Sequence, residues 1–389
     1  MEYLNESTKE HDLINYNNVI NWLDESLNLD PSLDNPAWQA KYNSISSKHS
    51  SNANKDDEKK ELEEIISKLK LINPEHFRTL ELNQEFLEKK KDITELLSFE
   101  KQLRIIYSKS SKKKRLKVLD IISKTYIFLN ELPPDDNFDY KKLVEDFFEF
   151  IGADEENTNV ASYLVLKSLY SIGRLKEISK GIALAKKSLD AKWSSRYINI
   201  ISSILLIEDS NIPILSEAIN SPSSNINSSQ VKRINVDILV AQNKFDDAIN
   251  LINISYDSKI FSFSDYVIAK TYTLLKSGRY AEVISFVGDN IDKVKDANKR
   301  DVIIINREVA KKNSGQEIRR IDLHSVISHF QSKGNESMCA FYLLDDLVQA
   351  RRILRGYINN DFFNYYIFSN WPAIPESELK DFTPERIAS

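Results

Sequence analysis

The chain of 389 residues has little of three residue types on which many known sites depend: 1 cysteine, 8 glycines and 10 prolines. A single cysteine, Cys339, excludes an internal disulfide and any zinc or iron–sulfur site built from several thiolates. It suits a reducing compartment, and we expect a cytoplasmic protein. The glycines lie at least eight residues apart, which excludes glycine-rich phosphate loops and the G-x-S-x-G nucleophile turn.

The chain also lacks a strong charge of either sign and a long apolar run. Its 53 Lys and Arg residues nearly balance 58 Asp and Glu residues, for a net charge of −5, which gives no general attraction for nucleic acid or anionic lipid. No stretch approaches the roughly 20 apolar residues of a membrane-spanning helix. The first residues lack the basic and apolar regions of a secretory signal. We therefore expect neither a membrane partner nor a nucleic-acid partner.

What the sequence does contain is apolar residues at spacings of three and four, as in Leu62, Ile65, Ile66 and Leu69. This periodicity predicts helices, and only two prolines interrupt the long stretch 135–371. The predicted helices cover residues 11–28, 57–72, 75–90, 92–108, 113–131 and 139–151, followed by helix pairs through 159–357. The sequence therefore predicts an all-α protein.

Polar composition divides the N-terminal part of the chain. The Ser, Asn and Lys tract from Asn43 to Lys55 carries few apolar residues, so we expect a mobile loop there and a boundary at its end. The predicted organisation is an N-terminal helix and loop over 1–56, a helical region over 57–155 and a repeat region over 156–389.

Three hexapeptides in the second half of the chain align without gaps. They begin at Gly173, Asn243 and Gly278, which are 70 and then 35 residues apart, or two periods and one. Each unit reads as a helix, a tight turn and a second helix, and the missing copy has Pro213 in a longer turn. We expect Gly173, Asn243 and Gly278 to occupy equivalent corners, because glycine and asparagine adopt positive φ at low cost.

These features resemble the tetratricopeptide repeat, a helix–turn–helix unit of about 34 residues. The resemblance covers 159–290 and, more loosely, 291–357, where Leu347–Leu354 reads as a further second helix. The family's early tryptophan and closing proline are missing, as Ser162 and Asp190 show. The resemblance implies an α-α superhelix, since one helix pair buries only one side of its apolar surface and stacked pairs form a curved groove.

In this family the first helix of each unit lines the groove and contacts peptides or proteins, so the resemblance implies a partner-binding wall. The positions that it places there are Tyr163, Lys167, Tyr170, Arg233, Asp237, Ile268, Tyr272 and Lys276. Lys167, Arg233 and Lys276 would together hold a carboxylate or an acidic segment by charge-assisted hydrogen bonds. The alternative is packing, because tyrosines at helical spacing are more often core residues than ligand contacts.

One catalytic alternative rests on Arg319 and His324. Four residues separate them, which matches the loose R-x4-6-H motif of the helical HEPN ribonucleases, in which Arg and His act on an RNA phosphate. His324 and His329 are five residues apart and would subtend about 140° on a helix, so they do not predict a shared metal site. We expect no metal and no other cofactor.

The C-terminal region is dense in aromatic residues, with seven of them between Tyr357 and Trp371. Terminal repeats need a cap to close their core, and aromatic patches also form interface hot spots. The sequence therefore leaves two roles open for this region, a cap and an interface.

Taken with the resemblance, these patterns predict a non-catalytic scaffold or regulatory subunit that binds a protein or peptide partner in its groove. A narrower alternative is a peptide-sensing regulator, and frequent Lys, Ile and Asn favour an AT-rich bacterial or phage genome. The enzymatic alternative is a helical ribonuclease, or its accessory subunit, that uses Arg319 and His324.

Overall fold

A computed structural model describes residues 2–49, 55–132, 139–152, 155–221, 226–330 and 334–383. Within these ranges every regular element is a helix, and the β-type pairing is an isolated bridge between Val160 and Lys192. The chain is therefore an all-α protein, as its apolar spacing predicts. It divides into two compact units, residues 1–129 and 130–389. The domain boundaries predicted at residues 56 and 155 stay predictions.

The first unit is built from six described helices. They are α1 (Glu2–Leu29), α2 (Ala37–His49), α3 (Lys55–Ile72), α4 (Phe77–Lys90), α5 (Ile93–Lys109) and α6 (Lys112–Glu131), whose last two residues lie past the boundary. Consecutive helices from α1 to α5 pack on one another. Burial of aliphatic side chains such as Leu62, Leu96 and Leu119, each at most 1% exposed, supplies the main stabilisation of this packing.

Most helices predicted in this part of the chain are confirmed. The bounds of α3 to α6 lie within two residues of the prediction, and α1 begins nine residues earlier. Side chains at the helix starts explain part of this agreement, because Asp92 Oδ1 accepts from Glu95 N–H at 3.0 Å at the start of α5. Such a cap satisfies a backbone donor that the helix leaves free.

Helix α2 corrects the sequence-based prediction of a loop over 43–55. The first half of that tract belongs to α2, and residues 50–54 lie outside the described residues. Trp38, Tyr42 and Ile45 follow one another at spacings of four and three, and each is at most 6% exposed. Burial of this apolar stripe stabilises the helix in spite of its polar composition.

The described part of the second unit consists of α7 (Tyr140–Ile151), six helical hairpins and a C-terminal segment. The hairpins are α8 (Ala161–Gly173) with α9 (Ile178–Leu189), α10 (Ile198–Leu205) with α11 (Ile212–Asn220), α12 (Ser228–Ala241) with α13 (Phe245–Asp257), α14 (Phe263–Lys276) with α15 (Tyr280–Asn290), α16 (Ala297–Asn313) with α17 (Arg320–His329), and α18 (Asn335–Leu343) with α19 (Leu347–Asn360). The C-terminal segment holds α20 (Phe363–Ser369) and α21 (Glu376–Leu379). The two helices of each hairpin are in contact, and α16 also contacts α14 and α18. Contacts between next-but-one helices are those of an α-helical repeat.

The second helices of four hairpins share one register. Their fourth and eighth residues are buried, namely Gly181 and Ala185 in α9, Ala248 and Ile252 in α13, Val283 and Val287 in α15, and Ala350 and Leu354 in α19. Glycine or alanine at the fourth position allows the first helix to approach closely. In the first hairpin Ser168 Oγ donates to Gly181 O at 2.6 Å. The pattern of buried positions therefore shows the repeat more clearly than the residue types do.

The corners of the hairpins are equivalent at Asn243 and Gly278 but not at Gly173. Asn243 has φ 58° and Gly278 has φ 74°, and each lies one residue before the N-cap of the next helix. In the first hairpin the left-handed residue is Lys176, with φ 58°, three residues after Gly173. Asp345, with φ 63°, has the same place before α19. The gapless alignment is therefore wrong by three residues in the first unit, because Gly173 is the last residue of α8 and not a corner residue.

The second hairpin has the longer connection that the sequence predicts, over residues 206–211, and short helices on either side of it. Helix α10 has 8 residues and α11 has 9. Pro213 lies in the first turn of α11 rather than in the connection, because a missing N–H costs nothing there and the fixed φ suits a helix start. The buried Asn211 closes the connection, since its Nδ2 donates to Leu205 O at 3.0 Å.

The C-terminal aromatic residues complete the core of the second unit. Phe362 and Phe368 are 2% and 0% exposed and pack in one apolar cluster with Val283 and Leu354. Ile374, farther along, belongs to the same cluster. Of the two roles that the sequence leaves open, these two phenylalanines therefore act as a cap.

Candidate functional site

The first helices of three successive hairpins, α10, α12 and α14, surround a cavity together with α20. Its volume is about 530 Å³. Asp237 of α12, Tyr272 and Lys276 of α14, and Tyr366 and Trp371 of the C-terminal segment contribute to its lining. This space is termed the groove cavity. It brings together three of the residues that the tetratricopeptide resemblance places on a partner-binding wall.

A smaller cavity of about 170 Å³ adjoins the groove cavity, and Asp237 and Tyr272 line both. Arg233, Asp265 and Ile268 are among the other residues of its wall. Every groove position predicted on α12 and α14 therefore lies at one of these two cavities.

Four-residue spacing places these side chains on one stripe of each helix. Arg233 and Asp237 are one turn apart on α12, and Ile268, Tyr272 and Lys276 span two turns of α14. Other faces of the same helices are packed, with at most 5% exposure at Ile234, Ile238, Val267, Thr271 and Leu274. Apolar packing thus fixes both helices while their polar stripes line the cavities.

The carboxylate of Asp237 is exposed to solvent, yet protein atoms crowd its surroundings. Desolvation raises the pKa of Asp237 to about 6, and the positive charge of Arg233 opposes the rise only in part. Asp237 lines both cavities, and this concave position accounts for the desolvation of an exposed residue. Within the part of the chain that the structure describes, Arg233, Asp237 and Lys276 form no ion pair and no side-chain hydrogen bond.

Tyr272 joins α14 to the C-terminal segment. Its hydroxyl donates to Asn370 O at 3.2 Å. Burial raises the pKa of Tyr272 to about 12, and the negative charge of Asp237 contributes to the rise. The hydroxyl therefore keeps its proton at neutral pH, and Tyr272 lines both cavities.

The C-terminal segment is held at the groove cavity by a close contact with the end of α8. Phe362 N–H donates to Gly173 O at 2.8 Å. A Cβ atom added to Gly173 would lie 1.9 Å from Asp361 Oδ1, so a glycine is required for close approach and not for positive φ. Asp361 is 3% exposed, and burial raises its pKa. Local patterns in the sequence do not predict this contact between distant positions.

Three other predicted partner-binding residues lie away from the groove cavity. Tyr163 is 1% exposed, and its ring packs edge-on against Phe148, with 6.0 Å between ring centroids. Lys167 Nζ lies 4.7 Å from the centroid of the Tyr163 ring, and Tyr170 OH donates to Glu145 Oε1 at 2.5 Å. These contacts hold α7 against α8. Tyr163, Lys167 and Tyr170 therefore contribute to packing within the chain, and we do not include them in the candidate site.

The pair Arg319 and His324 does not converge on one face of α17. Five positions of a helix correspond to about 140° of rotation. Arg319 precedes the helix as its N-cap, its Nε lies 3.4 Å from Asp322 Oδ2, and its N–H donates to Glu308 Oε2 at 2.6 Å. His324 is exposed. These contacts give Arg319 a role at the start of α17.

Three further features of the described ranges concern metal binding, membrane insertion and the single cysteine. No three His, Cys, Asp or Glu residues there are grouped to bind a metal ion, and none of the helices there combines the length and the apolar character needed to cross a bilayer. Cys339 is 3% exposed, and burial raises the pKa of its thiol, which disfavours a role for this thiol as a nucleophile.

Comparison of the chain with protein-family models, curated proteins and solved structures found no significant match.

Proposed function

We propose that this protein is a non-catalytic, helical-repeat scaffold or regulatory subunit that binds a protein or peptide partner in the groove cavity. One observation carries the proposal. Polar stripes of successive first helices, α12 and α14, meet half-buried aromatic side chains of the C-terminal segment around one concave space. Concave surfaces between repeats are the usual binding surfaces of stacked helical hairpins.

The chemistry of the cavity suits a polypeptide segment. Tyr272, Tyr366 and Trp371 provide flat aromatic area, and residues of these types dominate binding energy at protein interfaces. Asp237 and Lys276 provide one charge of each sign for orientation. Each hairpin buries its apolar residues against its neighbours, so the surface is formed before a partner arrives, which lowers the entropic cost of binding.

The direct test is affinity purification from the cells that express the protein, comparing the wild type with Arg233→Glu/Lys276→Glu. We expect a stoichiometric partner with the wild type and an affinity for it that differs at least tenfold in the variant. The two reversed charges, one at each of the adjoining cavities, would repel an acidic segment and attract a basic one. Lys187→Glu/Arg352→Glu is the matched control, with the same charge change at exposed positions of α9 and α19. Equal retention by all three proteins would exclude the groove cavity as the binding site.

The same purification separates the narrower and the enzymatic alternatives. A short peptide that co-purifies in place of a protein would favour a peptide-sensing regulator. RNA cleavage by the purified protein that is lost in Arg319→Ala/His324→Ala would contradict the non-catalytic proposal. The circular dichroism spectrum of each variant must match that of the wild type for these comparisons to apply.

A further inference from the structure

The groove cavity has one negative and one positive side chain, and the two differ in their surroundings. Among the described lining residues, Asp237 is the one carboxylate and Lys276 the one cation. Asp237 also lines the adjoining cavity, beside Tyr272. A carboxylate at the junction of two cavities, with an aromatic ring next to it, can be reached by a ligand in either one.

The aromatic side chains at the cavity are held in place by the core beneath them. The Tyr366 ring packs at 80° to Phe362, with 5.7 Å between centroids, and Trp371 packs at 66° to Phe368, at 5.1 Å. Phe362 and Phe368 are buried. Tyr366 and Trp371 are half-buried and line the groove cavity. Their faces are therefore pre-positioned, and aromatic faces attract cations.

The negative charge of Asp237 is poorly compensated by its neighbours. Arg233 is one turn away and lowers the pKa of Asp237, but desolvation exceeds this effect. The other charged or titratable groups at the two cavities are Asp265, Tyr272, Lys276 and Tyr366. Asp265 has its own partner, since Lys299 Nζ lies 2.9 Å from its Oδ1. A cation brought to Asp237 would supply the charge that the chain itself does not.

We propose that the groove cavity binds a lysine or arginine side chain of the partner, with the cationic group paired to Asp237. The stem or guanidinium plane of that side chain would lie against Tyr272 and Trp371, because such stems bury apolar surface while the charged end pairs. This inference rests on the proposed function and specifies its ligand. It differs from the sequence-based expectation of an acidic partner, in which Lys167 takes part, because Lys167 packs on Tyr163 instead.

The role of Lys276 defines the competing ligand. Lys276 is exposed and has no ion-pair partner among the described residues, so a carboxylate-bearing ligand would find a cation there. Its long side chain is free to extend into solvent, whereas Asp237 is a short side chain fixed on α12. The two ligand chemistries therefore give opposite responses to substitution of Asp237.

The test uses full-length protein labelled with 15N and two small probes, N-acetyl-arginine amide and N-acetyl-glutamate amide. The indole N–H signal of Trp371, identified by its loss in Trp371→Phe, reports on the cavity. We expect the arginine probe to shift this signal in the wild type. Asp237→Asn should weaken the binding at least tenfold, and Asp289→Asn, at an exposed position of α15, should leave it unchanged.

A second measurement needs no variant. Protons compete with the cation for Asp237, so binding of the arginine probe to the wild type should weaken as the pH falls through about 6. The inference is overturned if Asp237→Asn binds the arginine probe as tightly as the wild type, or if only the glutamate probe shifts the Trp371 signal. Loss of partner capture in Arg233→Glu/Lys276→Glu but not in Asp237→Asn would leave the proposed function standing and refute this inference alone.

Discussion

Replacing Gly173 with alanine is expected to push the C-terminal segment away from α8. An added Cβ would lie 1.9 Å from Asp361 Oδ1, whereas ordinary contacts begin near 3.4 Å. The carboxylate has little room to move, since Asn130 Nδ2 donates to its Oδ2 at 2.5 Å and Phe363 N–H to its Oδ1 at 2.9 Å. Relief of the overlap requires a shift of roughly 1.5 Å, the difference between these distances, in a closely packed region.

The size of the effect follows from the contacts that this shift would disturb. It would break the hydrogen bond from Phe362 N–H to Gly173 O and weaken the two bonds to Asp361. A lost hydrogen bond costs about 0.5–1.5 kcal/mol, and overpacking costs about 1–3 kcal/mol. The helix propensity of alanine returns at most about 1 kcal/mol, and less at the last residue of α8. We expect the free energy of unfolding to fall by about 2–4 kcal/mol.

Urea unfolding followed by tryptophan fluorescence measures this change, because Trp193 and Trp371 both lie in the second unit. Amide hydrogen exchange in α20 should rise at least tenfold, since local opening becomes more frequent. Gly356→Ala is the matched control. No atom lies within 4 Å of its added Cβ, and position 356 is inside α19, so alanine should stabilise the protein by about 0.5–1 kcal/mol.

The opposite signs of these two substitutions test the reasoning. If Gly173→Ala unfolds like the wild type, with unchanged exchange in α20, then the corner has room for a side chain and the close contact with Asp361 does not hold the segment. A destabilised variant with unchanged exchange in α20 would place the strain in the turn between α8 and α9.

Two further predictions concern buried charges of the second unit. Glu308 is 0% exposed and its Oε1 lies 2.6 Å from Arg307 Nε, while Asp322 Oδ2 lies 2.5 Å from Arg307 Nη2. Glu308→Ala should lower the free energy of unfolding by about 1.5–3 kcal/mol, because it removes one of the two carboxylates that pair with the buried Arg307. Glu282→Ala, which removes an exposed pair with Arg279, should cost at most about 1 kcal/mol in the same urea titration. Burial raises the pKa of Asp361, so the folded state holds that proton more tightly than the unfolded state. The stability from this group is complete below about pH 4, the ordinary Asp range, and is lost as the pH rises through the folded-state pKa; Asp361→Asn should flatten this part of the stability curve, and an unchanged slope would contradict the assignment.

Helix positions were predictable wherever an apolar stripe lies inside the segment considered. Helices α3 to α6 follow from spacings such as Leu62 to Ile66. Helix α2 was missed because the prediction rested on the polar composition of residues 43–55. The residues that stabilise it, Trp38 and Tyr42, lie before that tract. Composition averages over a window, whereas burial depends on which side of the helix each side chain occupies.

The register of the repeat shows a different limit. Glycine is used at a corner for positive φ, as at Gly278, and within a helix for close approach, as at Gly173. The sequence shows the same letter in both cases. A lysine, Lys176, takes the left-handed conformation in the first hairpin, which costs about 1–2 kcal/mol for a residue with a side chain and is not visible in any residue preference. Alignment on glycine therefore displaced the first unit by three residues.

The helix positions that line the candidate site could be predicted, but the elements that cover other predicted positions could not. The tetratricopeptide resemblance placed Asp237, Tyr272 and Lys276 on one wall, and these three residues line one cavity, with Tyr272 and Lys276 on the same stripe of α14. The same resemblance placed Tyr163 and Lys167 of α8 on this wall, whereas α7 covers both residues. A covering helix is a long-range contact, and the period of a repeat carries no information about it.

The C-terminal segment shows why cap and site belong together in this fold. Phe362 and Phe368 enter the core, while Tyr366 and Trp371 line the groove cavity from the same short stretch. The core residues fix the rings that a partner would touch, so a change that weakens the cap should also weaken binding. The aromatic density of the sequence indicates both roles, but the division of residues between them depends on how the segment lies across α8, α10, α12 and α14. For this reason Gly173→Ala is expected to reduce partner capture as well as stability, although residue 173 does not line the cavity. Full capture by a destabilised Gly173→Ala variant, at a temperature where it remains folded, would show that the groove cavity binds without its aromatic wall.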